Sequence, residues 1–487
     1  MRTAGILFPV SSLPSPYGIG NFGHKAYEFV DFLVKAKQTY WQILPLGPTG
    51  YGDSPYQSFS AFALNPYFID LDTLAGQNLL THDEINSFYF GDKADSIDYN
   101  SLFLNRKPLL SKAVARFSQG DWAFIEYKKN NAHWLPDYAL FMALKAAHGM
   151  VSYTLWEEAL RTRDAESIEN AKEQYRDEII FWETIQFFAH TQWTTLKRYA
   201  NERGIKIIGD IPIYVSPDSS DLWANNKLFQ TDKEGRPTEV AGVPPDAFSA
   251  DGQLWGNPLY DWDAHFNQGF AWWINRLQHA KELYDVVRSD HFRGFAGYYA
   301  VPFGDETAKN GRWRMGPGIS IIHAMQEADM QIIAEDLGYL TYDVIELLRQ
   351  SGFPGMKVLQ FAFDSREESD YLPHNYPKNT VVFTGTHDNT TTEDWQYSAP
   401  PADVLFAKEY LNIKEEDDFP LAFIRSCFAS VADTAIIPIA DWLTLGKEAR
   451  INTPSTTQGN WLWRAQDGVI NDELAEKIAR LTKVYGR

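Results

Sequence analysis

Cysteine is nearly missing: Cys427 stands alone among 487 residues. That excludes an internal disulfide framework and any metal site built on cysteine. Positive charge is also short, with 44 Lys and Arg against 64 Asp and Glu, for a formal net charge of -20. A surface this acidic repels phosphate backbones and anionic lipid, so neither nucleic acid nor a membrane is expected as partner. No apolar run approaches the roughly 18 residues that a membrane-spanning helix needs. The opening Met1-Arg2-Thr3-Ala4-Gly5-Ile6-Leu7 enters a strand-like run without the basic, apolar and cleavage-site order of a signal peptide. A cytoplasmic protein is expected.

Aromatic residues are plentiful. Sixteen Trp, 25 Tyr and 31 Phe make up 15% of the chain. A large core takes most of them; the rest, among many Asp and Asn, fit sugar binding, where rings stack on pyranose faces. At roughly 150 residues per domain the length allows about three domains, or one barrel with insertions.

Eight short apolar runs read as buried parallel strands: 5–10, 40–46, 206–211, 285–290, 331–335, 357–363, 380–384 and 435–439. Near-continuous Val, Ile, Leu and Phe is the pattern of strands covered on both faces. Helix-period segments lie between them. Ala26, Phe29, Val30, Leu33 and Ala36 share one helix face after the first strand. Phe181, Ile185, Phe188 and Leu196 mark a helix that Gly204 stops before the third. Alternation of this kind predicts an α/β fold, a (β/α)8 TIM barrel, with an open doubly wound sheet as the alternative. The spacing is uneven. The second and third strands are too far apart for a loop, so residues 50–200 are expected to form an inserted, mostly helical subdomain. Residues 215–275 are expected to form a loop-rich lid between the third and fourth strands.

Barrel active sites lie at the carboxyl ends of the strands. Here those ends read Ile208-Gly209-Asp210, Arg288-Ser289-Asp290-His291, Ala334-Glu335-Asp336 and Thr384-Gly385-Thr386-His387-Asp388. A buried ionised carboxylate is costly unless paired, so four runs ending in acids suggest a shared purpose. Metal binding is one, with His291 and His387 as further ligands. A metal-dependent barrel hydrolase, however, needs a His pair where the first strand here ends Phe8-Pro9-Val10-Ser11-Ser12. Glycosidic-bond chemistry is the other, since it needs one nucleophilic and one proton-donating carboxyl group.

Longer motifs carry a resemblance over essentially the whole chain. They include Ser54-Pro55-Tyr56-Gln57-Ser58, Ala241-Gly242-Val243-Pro244-Pro245-Asp246 and Gly252-Gln253-Leu254-Trp255-Gly256-Asn257-Pro258. Asp290-His291-Phe292-Arg293-Gly294, Ala334-Glu335-Asp336-Leu337-Gly338, Thr386-His387-Asp388-Asn389 and Asn460-Trp461-Leu462-Trp463-Arg464 follow in order. The chain resembles the amylomaltases, or 4-α-glucanotransferases, of the α-amylase clan. Ser289 departs from the aliphatic residue usual there, but it points away from Asp290 on a strand.

The resemblance implies Asp290 as nucleophile, Glu335 as general acid and then base, and Asp388 as the group that holds sugar hydroxyls and steadies the oxocarbenium-like transition state. Arg288, two residues before Asp290, points the same way and orients it as a charged partner. Asp210 would fix Arg288 and the donor sugar, and His387 would donate to a sugar hydroxyl. Tyr56 would stack on the donor glucose, and Phe363 would border the acceptor side. Asp246, Trp255 and Asn257 from the lid, with His291, complete the implied binding set. The implied partners are α-1,4-glucans and maltooligosaccharides, with glucose as acceptor, in a monomer or small homo-oligomer that needs no metal and no cofactor. An α-1,4-glucan hydrolase uses the same residues and stays open as the alternative, as does a catalytically dead glucan-binding protein.

Overall fold

The computed structural model describes residues 2–50, 52–245, 249–338 and 340–487. In chain order its strands are β1 (Thr3–Leu7), β2 (Tyr40–Gln42), β3 (Lys206–Ile211), β4 (Glu239–Val243), β5 (Gln253–Pro258) and β6 (Val286–Ser289). They continue as β7 (Gly297–Pro302), β8 (Arg312–Met315), β9 (Gln331–Ala334), β10 (Gly355–Val358), β11 (Thr380–Phe383) and β12 (Thr434–Pro438). Eight of them form one parallel sheet in the order β10-β11-β12-β1-β2-β3-β6-β9. The sheet curls into a nearly closed (β/α)8 barrel, and each of its strands falls on one of the apolar runs of the sequence. Most of these strands are shorter than the runs. The run at 357–363, for instance, leaves β10 at Val358 and becomes a 3-10 turn, Leu359–Ala362.

Side-chain alternation divides each strand between two cores. Ala4, Ile6, Ile207, Val287, Ile332 and Val382 face the surrounding helices. Leu7, Ile208, Val286, Ile333, Met356 and Val381 fill the barrel interior. That parity matters for the site. Asp210 shares the inward face of Ile208, Arg288 and Asp290 that of Val286, and Glu335 that of Ile333.

Between β2 and β3 the described residues hold helices and no strand. Tyr99–Arg116, Trp122–Asn130 and Ala165–Gln174 each begin on an aspartate, Asp98, Asp121 or Asp164, whose carboxylate accepts a backbone N–H of the first turn. The long helix Arg176–Glu202 packs on the barrel and delivers the chain to β3. The second insertion is more ordered than the loop-rich composition suggests. β4 and β5 pair antiparallel, and β7 and β8, from beyond β6, extend them to a four-stranded sheet in the order β5-β4-β7-β8. β8 is exposed along its length and β5 is only partly buried, so neither carries the apolar run that marks a barrel strand. No helix among the described residues is long and apolar enough to cross a membrane.

Candidate active site

Arg288 is the hub. It is buried, and its Nη1 donates to both carboxylate oxygens of Asp210 at 3.0 and 2.8 Å. Its Nη2 lies 3.1 Å from Asp290 Oδ1 and 3.9 Å from Glu335 Oε2. Burial alone would disfavour the guanidinium charge, but Asp210 and then Asp290 outweigh it and raise Arg288 well above its ordinary value. Among the described residues no cluster of His, Cys, Asp and Glu is arranged to hold a metal ion. Asp290 Oδ1 and Glu335 Oε2 therefore border the same guanidinium nitrogen.

Glu335 continues β9 and is tied down by backbone. Oε2 accepts the His291 N–H at 2.7 Å and Oε1 accepts the Leu337 N–H at 2.9 Å. Burial pushes its carboxyl up to about 7, Arg288 pulls it back, and the charge of Asp290 adds to the rise. His291 holds a left-handed φ of 46° that aims its N–H at Glu335. Burial takes its imidazole down to about 4, so it is neutral around pH 7. The Trp255 ring stands edge-on to it, with centroids 4.7 Å apart.

The loop after β11 supplies the third acid. Asp388 is far more open than Asp290 or Glu335, its side chain 43% exposed. Asn452 Nδ2 donates to Asp388 Oδ1 at 2.6 Å, His387 Nε2 lies 3.3 Å from the same oxygen, and Arg450 donates to the Asp388 carbonyl at 3.0 Å. His387 is buried and stacks on Tyr56, with centroids 5.1 Å apart and planes 14° apart. The Tyr56 hydroxyl donates to Asp210 Oδ2 at 2.8 Å, which ties this loop to the Arg288 cluster.

Asp210, Arg288, Asp290, His291, Glu335, His387, Asp388, Tyr56 and Trp255 thus lie in one connected network. Asn257 is buried at its edge, accepting from Gln57 at 3.3 Å and donating to the Val215 carbonyl at 2.9 Å. Asp246 lies outside the described residues. Phe363 is a correction. Its ring is 1% exposed and packs on Trp395, Phe406, Tyr410 and Phe423 in the core behind the barrel, because the strand ended earlier than its apolar run. Phe361, 43% exposed, is the aromatic residue open at that end. Sequence reasoning also missed Asn452, Arg450 and a role for Trp461, whose ring lies 5.9 Å from Tyr56 and 6.0 Å from His387. Trp461 stood in a recognised motif; Asn452 and Arg450 carried no signal.

The 4-alpha-glucanotransferase family model matches residues 8–470. A 4-alpha-glucanotransferase of Clostridium butyricum is 49% identical over 483 residues, covering 98% of this chain and 99% of that protein. One from Thermus thermophilus is 44% identical, covering 100% of this chain and 99% of that protein. Among solved structures, an amylomaltase from Streptococcus agalactiae in complex with acarbose matches with a TM-score of 0.97 at 39% identity, covering 100% of both chains. With its three acids gathered at the carboxyl ends of a barrel and likeness running along the whole chain, the protein belongs to the 4-alpha-glucanotransferase family.

Proposed function

We infer that the protein moves segments of α-1,4-glucan onto the 4-hydroxyl of a glucose or glucan acceptor by two displacements at one anomeric carbon. The observation that carries this is the shared Arg288 Nη2, which brings Asp290 and Glu335 together, with the Glu335 carboxyl lifted to about 7. In the first step Asp290 attacks the anomeric carbon while Glu335 gives its proton to the departing glycosidic oxygen. This leaves a glycosyl ester on Asp290 and a free glucan end. In the second, the Glu335 carboxylate takes the proton of an incoming 4-hydroxyl, whose oxygen displaces Asp290. Asp388 and His387 hold hydroxyls of the donor sugar, and Arg288 keeps its charge against the acids throughout. Water could take the acceptor's place. The Trp255 edge over His291 and the antiparallel sheet beside the cleft support an acceptor site lined for sugar rather than solvent.

Incubation of pure enzyme with maltotriose separates the outcomes. Transfer yields glucose and oligosaccharides longer than the substrate with little net gain in reducing ends. A steady rise in reducing ends with no longer product would make the protein a hydrolase. Glu335→Gln should abolish most turnover and leave maltooligosaccharide binding in place, as calorimetry can read.

A further inference from the structure

The two edges of the curled sheet meet at β9 and β10, and Glu335 follows β9 at this seam. On the β6 side its backbone is secured by the ladder itself: Glu335 N donates to the Ser289 carbonyl and Phe292 N to the Glu335 carbonyl, both at 3.0 Å. On the β10 side the backbone contribution is Ala334 N to the Pro354 carbonyl at 2.9 Å, and the strands are not paired. The next rung is made by a side chain. Asp336 is 6% exposed, and its Oδ1 accepts the Met356 N–H at 2.7 Å. Gly355 makes room for it, since a Cβ there would meet the Asp336 carboxyl oxygens at 2.8 and 2.9 Å. A third hold lies just beyond, where Gly338 N donates to the Tyr371 hydroxyl at 3.2 Å.

We propose that Asp336 is a positioning residue for the transfer reaction: its carboxylate stands in for the missing β9–β10 rung and sets the place of the Glu335 carboxyl. The geometry is one-sided. Without the Asp336–Met356 bond, the segment carrying Glu335 keeps both backbone bonds to the β6 side and loses the middle one of its three holds on the β10 side, the one next to Glu335. Glu335 must meet a glycosidic oxygen within hydrogen-bond reach, and a misplacement of about 1 Å can cost on the order of 10²-fold in rate. Substrate affinity, which comes from the Asp388 rim and the aromatic residues, does not depend on that placement.

The inference rests on Glu335 as proton donor, and the experiment tests the two separately. Asp336→Ala and Gly355→Ala break the same contact from opposite strands. Each should lower kcat on maltotriose by about 10- to 100-fold with KM held within about twofold. Asp336→Asn, whose amide oxygen can still accept the Met356 N–H, should stay within about threefold of the parent. Should Asp336→Ala fail to fold, Gly355→Ala, which keeps the carboxylate, still decides. Unchanged kcat in the alanine variants, or an Asp336→Asn variant as slow as Asp336→Ala, would overturn the proposal. Turnover retained by Glu335→Gln would instead remove the role of Glu335 itself.

Discussion

Around Arg288, three carboxylates are gathered by one buried guanidinium, whereas at the end of β11 Asp388 is held near solvent by Asn452 and the neighbouring His387. The first arrangement works at low effective dielectric, where charges interact strongly and removing one partner strands the others. The second works by hydrogen bonds at a surface that water already reaches. The buried group is suited to chemistry that needs fixed charge and a tuned proton. The rim is suited to sugar hydroxyls that arrive and leave.

Substitutions on the two sides should separate these roles. The largest effect is expected for Asp290→Asn, which removes the attacking oxygen and should lower transfer by about 10⁴-fold or more; steady-state rates on maltotriose check it. Next comes Arg288→Met. It leaves Asp210 buried without its cation, and loss of one member of such a pair costs about 3–5 kcal/mol of stability, readable by denaturant unfolding. Asp388→Asn should lower kcat by about 10²–10³-fold while leaving the unfolding midpoint unchanged, because its side chain is partly solvated. A drop in stability equal to that of Arg288→Met would erase the contrast drawn here.

The proton on Glu335 sharpens the contrast further. Its folded-state value of about 7 exceeds its ordinary 4.5, so the native protein holds this proton more tightly than the unfolded chain. The resulting stabilisation is complete below about 4.5 and is lost as pH rises through about 7. Glu335→Gln should therefore gain stability relative to the parent across that window, seen as a widening difference in Tm. The first displacement should slow over the same rise, because it needs the protonated acid. The smallest effect on rate is expected from Phe363→Ala. It should cost about 3–5 kcal/mol of stability through a core cavity and leave kcat near the parent value.

The barrel was legible because its strands lie on short runs that are largely apolar, with helix periodicity between. The small antiparallel sheet was not. β4 and β5 alternate only partly, and the other partner of β4, β7, lies on the far side of β6 in sequence. Phe363 was misplaced for a related reason. An apolar run marks burial and does not say where a strand stops, so the ring that sequence put at the cleft belongs to the core.

Local chemistry therefore determined which residues could act. A strand repeats every two residues, so Asp290 had to face as Arg288 does, and Glu335 as Ile333. No property of the sequence says that Arg288 Nη2 lies near both Asp290 and Glu335, or that Asn452 reaches Asp388. Those contacts join segments far apart in the chain, and they exist only once the barrel has closed. The raised proton affinity of Glu335 belongs with them, because burial is a property of everything packed around a group rather than of its neighbours in sequence.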